Sequence, residues 1–291
     1  MDYCLHAMAA NGQIRAFVAN TKGLVNKAAT LHQTSPVATA ALGRALTVGS
    51  IMGLMSGNDK DSITINIKGD GPLGGVLVVS DGLGRVKGYA NNPQADVPNR
   101  ADGKLNVGGA IGAGNLTIAK DLGLKEPYIG TIELVSGEVA EDVASYFFTS
   151  EQTPSIVSLG VLVDRDLSVK QAAGFIIQLL PGCGDEVIDL LEGHISVLPP
   201  LTTLLEEEGQ TIEEILALLL APFGYEITKK SEIELHCNCS KDKMERALIS
   251  LGKAEIDQII QEQGVAELVC HFCNEVYTFT KEDLGKILED I

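Results

Sequence analysis

Cys237-Asn238-Cys239 and Cys270-His271-Phe272-Cys273 place four of the chain's six cysteines in two tight pairs separated by thirty residues. Four thiolates from two short knuckles suit Zn2+, a borderline-soft ion with no geometric preference of its own that commonly takes four sulfurs tetrahedrally. The second pair has common zinc-site spacing; the first, with one intervening residue, does not. A disulfide between residues i and i+2 closes a small strained ring, whereas i and i+3 is the spacing of oxidoreductase thiols, and strained disulfides are the labile ones. Either pair can therefore oxidise locally, and doing so removes metal ligands. His236 and His271 lie beside the cysteines and offer nitrogen in place of a sulfur, although four thiolates already complete the shell.

The elements that must position these thiols are short. In residues 231–291, "EIELHCNC" is strand-like, and "SKDKMERALISLG" reads as a helix from a Ser240 cap to a Gly252 stop. "AEIDQIIQEQG" is a second helix ending at Gly264, and "AELVCHFCNEVYTF" is strand, knuckle and strand. Thr280 and Asp283 then form a capping box that opens a last helix. A unit of this size with few large apolar groups is marginal by its core alone. Structural zinc contributes about 10–16 kcal/mol in small peptides, against about 5–15 kcal/mol for the stability of a whole domain. The metal is thus expected to decide whether the tail is folded.

The preceding chain is expected to form an α+β core over residues 1–181, with antiparallel sheets and buried helices. "ITINIK", "GVLVVS" and "RVKGYA" are β-like runs parted by Gly-rich turns, and "SIVSLGVLV" with "VKQAAGFIIQLL" reads as another hairpin. Between these sets "SGEVAEDVASYFFTSEQ" has helical period, with Ser136 as candidate cap and Glu138, Glu141 and Asp142 as a charge cluster at the helix start. Residues 182–230 read as a helical linker of three short helices around Pro199-Pro200 and Gly209. The last opens on a Thr211–Glu214 capping box and carries Ile212, Ile215, Leu216 and Leu219 on one face, widened by Leu218 and Leu220, so it must lie against another surface.

The net charge of -17 opposes a nucleic-acid backbone or an anionic membrane surface. "PVATAALGRALTVGSIMGLM", with one charge at Arg44, has the length of a membrane span. Its central Arg and many small residues fit a helix buried inside a core better, with Arg44 as a paired cation. "MDYCLHAMAANGQIRAF" lacks a basic start and an apolar run, and a cytoplasmic protein is expected.

The motifs together resemble one family. Cys-x-Cys and Cys-x-x-Cys within "HCNCSKDKMERALISLGKAEI" and "AELVCHFCNEVYTFTKEDL" are similar to the redox-switch domain of the bacterial heat-shock protein thirty-three family. "ALGRAL", "IKGDGPLGG", "GYANNP", "LVSGEVAEDVASYF", "SEQTPS", "GVLV" and "AAGFIIQLLPG" resemble its N-terminal domain in wording and order. The resemblance implies a redox-regulated, ATP-independent holdase with one zinc held by Cys237, Cys239, Cys270 and Cys273 in the reduced, inactive form. It implies that oxidation pairs Cys237 with Cys239 and Cys270 with Cys273, releases zinc, unfolds switch and linker, and lets an activated homodimer hold unfolding client proteins. Cys183 and Cys4 depart from the family's pattern; Cys4 is expected to be a small buried hydrophobe in the first strand.

Other signals are weaker. Gly69 to Gly74 fits G-x-G-x-x-G, but the β-like "GVLVVSDGLGRV" follows where a dinucleotide site needs a helix. No Ser/His/Asp or paired-carboxylate arrangement emerges from spacing, His6, His32 and His194 stand alone, and no enzyme is expected. Two rivals remain. A thiol-disulfide oxidoreductase would use Cys270 and Cys273 as an exposed, low-pKa pair. A zinc-ribbon module for ribosome or RNA would need a basic face, yet from Glu232 to Ile291 there are 13 acidic against 6 basic residues.

Overall fold

The computed structural model of the protein describes residues 1–206 and 209–290. Glu207, Glu208 and Ile291, which the expected helices include, lie outside the described residues. The chain forms two compact units, Met1–Leu235 and His236–Ile291. The expected linker, residues 182–230, and the first five residues of the expected switch region belong to the first of these.

The first unit opens with the hairpin β1 (Tyr3–Ala9) and β2 (Ile14–Asn20), then α1 (Lys22–His32) and α2 (Pro36–Ser56). The runs read as β-like become β3 (Ser62–Gly69), β4 (Gly75–Asp81) and β5 (Arg85–Ala90). A short α3 (Val107–Ile111) leads to β6 (Gly114–Asp121) and β7 (Tyr128–Glu133), then α4 (Ala140–Ser150) and the hairpin β8 (Ser155–Val163) with β9 (Val169–Leu179). The helices α5 (Asp185–Ser196), α6 (Leu201–Glu206) and α7 (Ile212–Leu219) precede β10 (Tyr225–Glu232) and the two-residue β11 (Glu234–Leu235). One sheet has the order β10-β1-β2-β9-β8, the other β11-β5-β4-β3-β6-β7. All their pairings are antiparallel except that of β11 with β5.

The helix that resembled a membrane span lies between the sheets. It packs on β3, β4 and β5 of one and β8 and β9 of the other, and 94% of its most apolar stretch is buried. Small residues make that position possible: a Cβ on Gly53 would come within 2.5 Å of the Asp81 carbonyl oxygen. Its buried hydroxyls turn inward, Thr47 donating to the Gly43 carbonyl and Ser50 to the Leu46 carbonyl, each at 2.8 Å. Arg44 is the paired cation expected of it, donating to the Glu138 carboxylate and, at 3.1 Å, to the Glu138 carbonyl. The glycine motif serves packing as well. Cβ atoms on Gly69 and Gly71 would strike the Ile111 and Ala110 carbonyls, and β4 follows with no helix N-terminus for a phosphate.

The start of α4 differs from expectation. Its N-cap is Val139, at φ 70°, rather than Ser136, and Glu138 is committed to Arg44. Asp142, 0% exposed, accepts backbone N–H bonds from Val135, Ser136, Gly137 and Val139 at 2.7, 3.1, 3.3 and 2.9 Å. The carboxylate read as a dipole partner is therefore the centre of a buried turn. Asp142→Ala strands four donors at about 1–3 kcal/mol for each one left unsatisfied, so a loss of about 4 kcal/mol or more is expected in denaturant melts. A loss below about 1 kcal/mol would show that water replaces the carboxylate freely.

Both faces of the first sheet are covered at β1, β2 and β9, which is why these strands carry buried apolar residues on both sides. Cys4, Phe17, Ala19, Ala172 and Ile176 point toward α1 and α2, and Cys4 is 0% exposed, as expected of a small hydrophobe. Leu5, Ile14, Ala16, Val18, Phe175 and Ile177 point the other way and pack with Leu191, Leu201, Leu204, Ile212, Ile215, Leu216 and Leu219 of α5, α6 and α7. The Thr211–Glu214 capping box forms, and the surface that its helix needed is this sheet. Polar ties fasten the same helices. The Tyr3 hydroxyl donates to Glu213 at 2.7 Å, Lys230 on β10 reaches the same carboxylate at 3.1 Å, and His194 meets the Leu218 carbonyl at 2.7 Å. Burial, together with Glu213, pushes the Tyr3 phenol up to about 12. His194 thus does not stand alone.

The second unit contains α8 (Lys241–Ile249), α9 (Lys253–Glu262), the hairpin β12 (Val265–Val269) with β13 (Val276–Thr280), and α10 (Lys281–Asp290). Its core is Leu248, Ile256, Ala266, Phe279, Leu284 and Ile287. Ser240 caps α8, accepting from Lys243 N–H, and the Thr280–Asp283 box opens α10 as expected.

Candidate metal centre

Each knuckle is shaped by its backbone. In the second, Cys270 N–H donates to the Glu275 carbonyl at 2.9 Å while the Cys270 carbonyl accepts from Cys273 N–H at 3.2 Å and Asn274 N–H at 2.7 Å. Asn274 takes φ 55°, the left-handed turn that sends the chain back into β13. The knuckle is thus the loop of the β12–β13 hairpin. The first knuckle lies between β11 and the Ser240 cap, so Cys239 directly precedes the positive end of α8, and the Lys243 ammonium donates to the Asn238 carbonyl at 2.7 Å. Both features favour negative charge on the sulfurs.

The structure brings together all four cysteines that the sequence singled out. Their sulfurs lie within 4.8 Å of one another. Cys237 Sγ is 3.7 Å from Cys270 Sγ, and Cys239 Sγ is 3.3 Å from Cys273 Sγ. A tetrahedral zinc with Zn–S bonds of about 2.3 Å requires sulfurs roughly 3.8 Å apart. The donor set and its spacing therefore fit such an ion with small adjustments. The two histidines are not members of this cluster. Cys4 and Cys183 lie in the first unit and take no part in it.

The thiols are not equivalent. Cys270 is 5% exposed, whereas the other three are half-buried. Burial acts to raise the Cys239 thiol, but the hydrogen bond from the Tyr277 hydroxyl at 3.1 Å and those from the neighbouring sulfurs outweigh it and hold it at about 7. Burial raises Cys237 and Cys273, and for Cys273 the three other sulfurs add to the rise. Crowded sulfurs resist carrying negative charge together, and a divalent cation at their centre removes that conflict. Tyr277 was not legible as part of this site. Its place in "EVYTF" follows strand alternation, and only the fold of the hairpin carries its hydroxyl to Cys239.

The chain has relatives that it matches over nearly its whole length. The family described as Hsp33 protein matches residues 2–280. The 33 kDa chaperonin of Agathobacter rectalis is 50% identical over 286 residues, covering 98% of this chain and 99% of the relative. That of Clostridioides difficile is 49% identical, covering 100% of this chain and 99% of the relative. The crystal structure of the 33 kDa chaperonin (heat shock protein 33 homolog) from Thermotoga maritima superposes with a TM-score of 0.91 at 35% identity. It covers 99% of this chain and 98% of that one. The resemblance read from the motifs thus extends over nearly every residue, and the names of these relatives support a chaperone. This chain belongs to the Hsp33 family, the family of the 33 kDa chaperonins.

Proposed function

We propose that this chain is a cytoplasmic, ATP-independent holdase that is inactive when reduced and zinc-bound and is activated by oxidation. The observation that carries the proposal is the four-sulfur cluster in a unit whose apolar core, among the described residues, is six buried side chains. Zinc, when bound by Cys237, Cys239, Cys270 and Cys273, supplies the cross-link that such a core lacks.

Oxidation consumes one peroxide per disulfide: two thiolates of the zinc-bound form lose two electrons, one S–S bond forms, and the peroxide O–O bond breaks and takes up two electrons and two solvent protons to give two waters. Pairing Cys237 with Cys239 and Cys270 with Cys273 leaves the two knuckles unlinked, so the donor set is lost and nothing covalent replaces it. Pairing across the knuckles, where Cys237 Sγ lies 3.7 Å from Cys270 Sγ and Cys239 Sγ 3.3 Å from Cys273 Sγ, would staple the unit shut. Only the local pairing makes oxidation a signal to unfold. Once the unit opens, the segment 182–230 acts as the linker that yields, and α5–α7 leave the first sheet and uncover apolar surface for unfolding clients. The activated form is a homodimer, and the charge of -17 argues against nucleic acid or an anionic membrane as partner.

A thiol-disulfide oxidoreductase needs an exposed, acidic thiol in its C-x-x-C. Here Cys270 is 5% exposed and the Cys273 thiol is pushed up, which speaks against that activity.

The test treats the reduced, zinc-loaded full chain with peroxide at elevated temperature. It follows zinc with a chromogenic chelator, client aggregation by light scattering, and disulfides by non-reducing peptide maps. Zinc release and aggregation suppression should rise together, with disulfides inside each knuckle. Zinc loss without suppression, or disulfides across the knuckles in the active form, would sink the proposal.

A further inference from the structure

Two side chains of opposite charge, Arg15 and Asp61, line one cavity in the first unit, and among the described residues neither forms an ion pair. The cavity, of about 160 Å3, lies at the C-terminal end of α2, where Met52 and Phe147 supply apolar wall and Arg15, Asp61, Lys120 and Glu151 bring charge. Lys120 and Glu151 pair with each other. Asp61 is 5% exposed. Its backbone N–H donates to the Asn58 carbonyl and its own carbonyl accepts from Gly82 N–H, but among the described residues no donor or cation meets its carboxylate. Arg15 gives Nε to Gln178 Oε1 at 2.8 Å and lies 5.9 Å from the centre of the Phe17 ring, and among the described residues no carboxylate pairs with it. Glu151, the acid whose field acts on Arg15, is already engaged by Lys120.

A buried ion without a partner is costly, and at a cavity wall that cost is what a ligand of opposite charge relieves. We propose that this cavity binds a small zwitterion of amino-acid size: its ammonium on the Asp61 carboxylate, its carboxylate on the Arg15 guanidinium, its apolar side chain against Met52 and Phe147. A cavity of about 150 Å3 admits benzene, so a branched aliphatic side chain fits. A simple anion would meet Arg15 but be repelled by Asp61, and a simple amine would fail in the opposite way. The site shares no residue with the cysteine cluster, so it and the chaperone proposal stand or fall separately.

Calorimetric titration of the reduced, zinc-loaded full chain provides the test, with L-leucine, isopentylamine and 4-methylpentanoic acid as probes that carry both charges, the positive one and the negative one. L-leucine should bind once per chain, and each singly charged probe at least about tenfold more weakly, as expected for losing roughly 1.4 kcal/mol. Asp61→Asn and Arg15→Gln should each weaken L-leucine by a similar factor, while Arg15→Gln strengthens the amine and Asp61→Asn strengthens the acid, because each removes the like charge that repels that probe. Should either variant not fold, the probe series on the unaltered protein decides. No heat from millimolar L-leucine, equal affinity for all three probes, or full affinity in a folded Asp61→Asn variant would overturn the assignment.

Discussion

Stripping zinc from the reduced protein with a strong chelator, or replacing one ligand as in Cys273→Ser, should melt the second unit and release α5–α7 while leaving the two sheets and α2 of the first folded. Amide protection should disappear across residues 241–290, and protease cleavage should begin there. The size of the effect follows from the comparison of two quantities. Structural zinc contributes about 10–16 kcal/mol to small folded units, and the unit it would support has a core of Leu248, Ile256, Ala266, Phe279, Leu284 and Ile287, too little for more than about 3–5 kcal/mol by itself. Outside α5–α7 the first unit should retain its protection, because the cluster around α2 between its two sheets contains none of these residues. Undiminished protection across 241–290 in the metal-free, reduced chain would mean that the cluster is a passenger in a unit already stable without it.

The second large effect separates the linker from the metal. Leu216→Asp should produce a protein that suppresses client aggregation in reductant while still holding its zinc. Leu216 is 0% exposed against the first sheet, and truncating a buried Leu costs about 2–5 kcal/mol before the burial of an unpaired carboxylate is added. An eight-residue helix cannot hold its own conformation in water, since helices shorter than about 12–15 residues are marginal alone, so α7 should leave the sheet instead of tolerating the charge. Hydrogen exchange should show new exposure on the face formed by Leu5, Val18 and Phe175, with β3, β4 and β6 unchanged. A reduced variant that exposes this face yet protects no client would place the client surface elsewhere. One that needs oxidation despite a released linker would uncouple the linker from activation.

These two experiments probe opposite ends of one arrangement. The covered face of the first sheet is a large apolar surface kept from water by three short helices, each dependent on packing for its fold. Their attachment is partly polar: Tyr3, Glu213 and Lys230 join β1, α7 and β10 in one hydrogen-bonded group. Such a cover can be removed at moderate cost, whereas α2 between the two sheets cannot.

The sequence by itself determined what depends on neighbours along the chain. The period of the strands, the Ser240, Thr211 and Thr280 caps, the adhesive face of residues 212–220 and the identity of the four metal-ligand candidates were all legible, because caps act within one helical turn and amphipathic faces repeat at fixed spacing. β10 escaped that reading: in Tyr225–Glu232 only Ser231 is buried, so this edge strand carries no apolar alternation and is defined by its backbone pairing with β1. The start of α4 escaped it too, since Asp142 is chosen as acceptor by four N–H groups of a turn that exists only once β7 and α4 are in place. Tertiary structure alone decided that Tyr277 reaches Cys239, that Cys237 meets Cys270 and Cys239 meets Cys273 across the knuckles, and that Arg15 and Asp61 share a cavity from positions 46 residues apart. Contacts between distant residues are fixed by how the sheets and helices close on one another, and no local period in the chain encodes that.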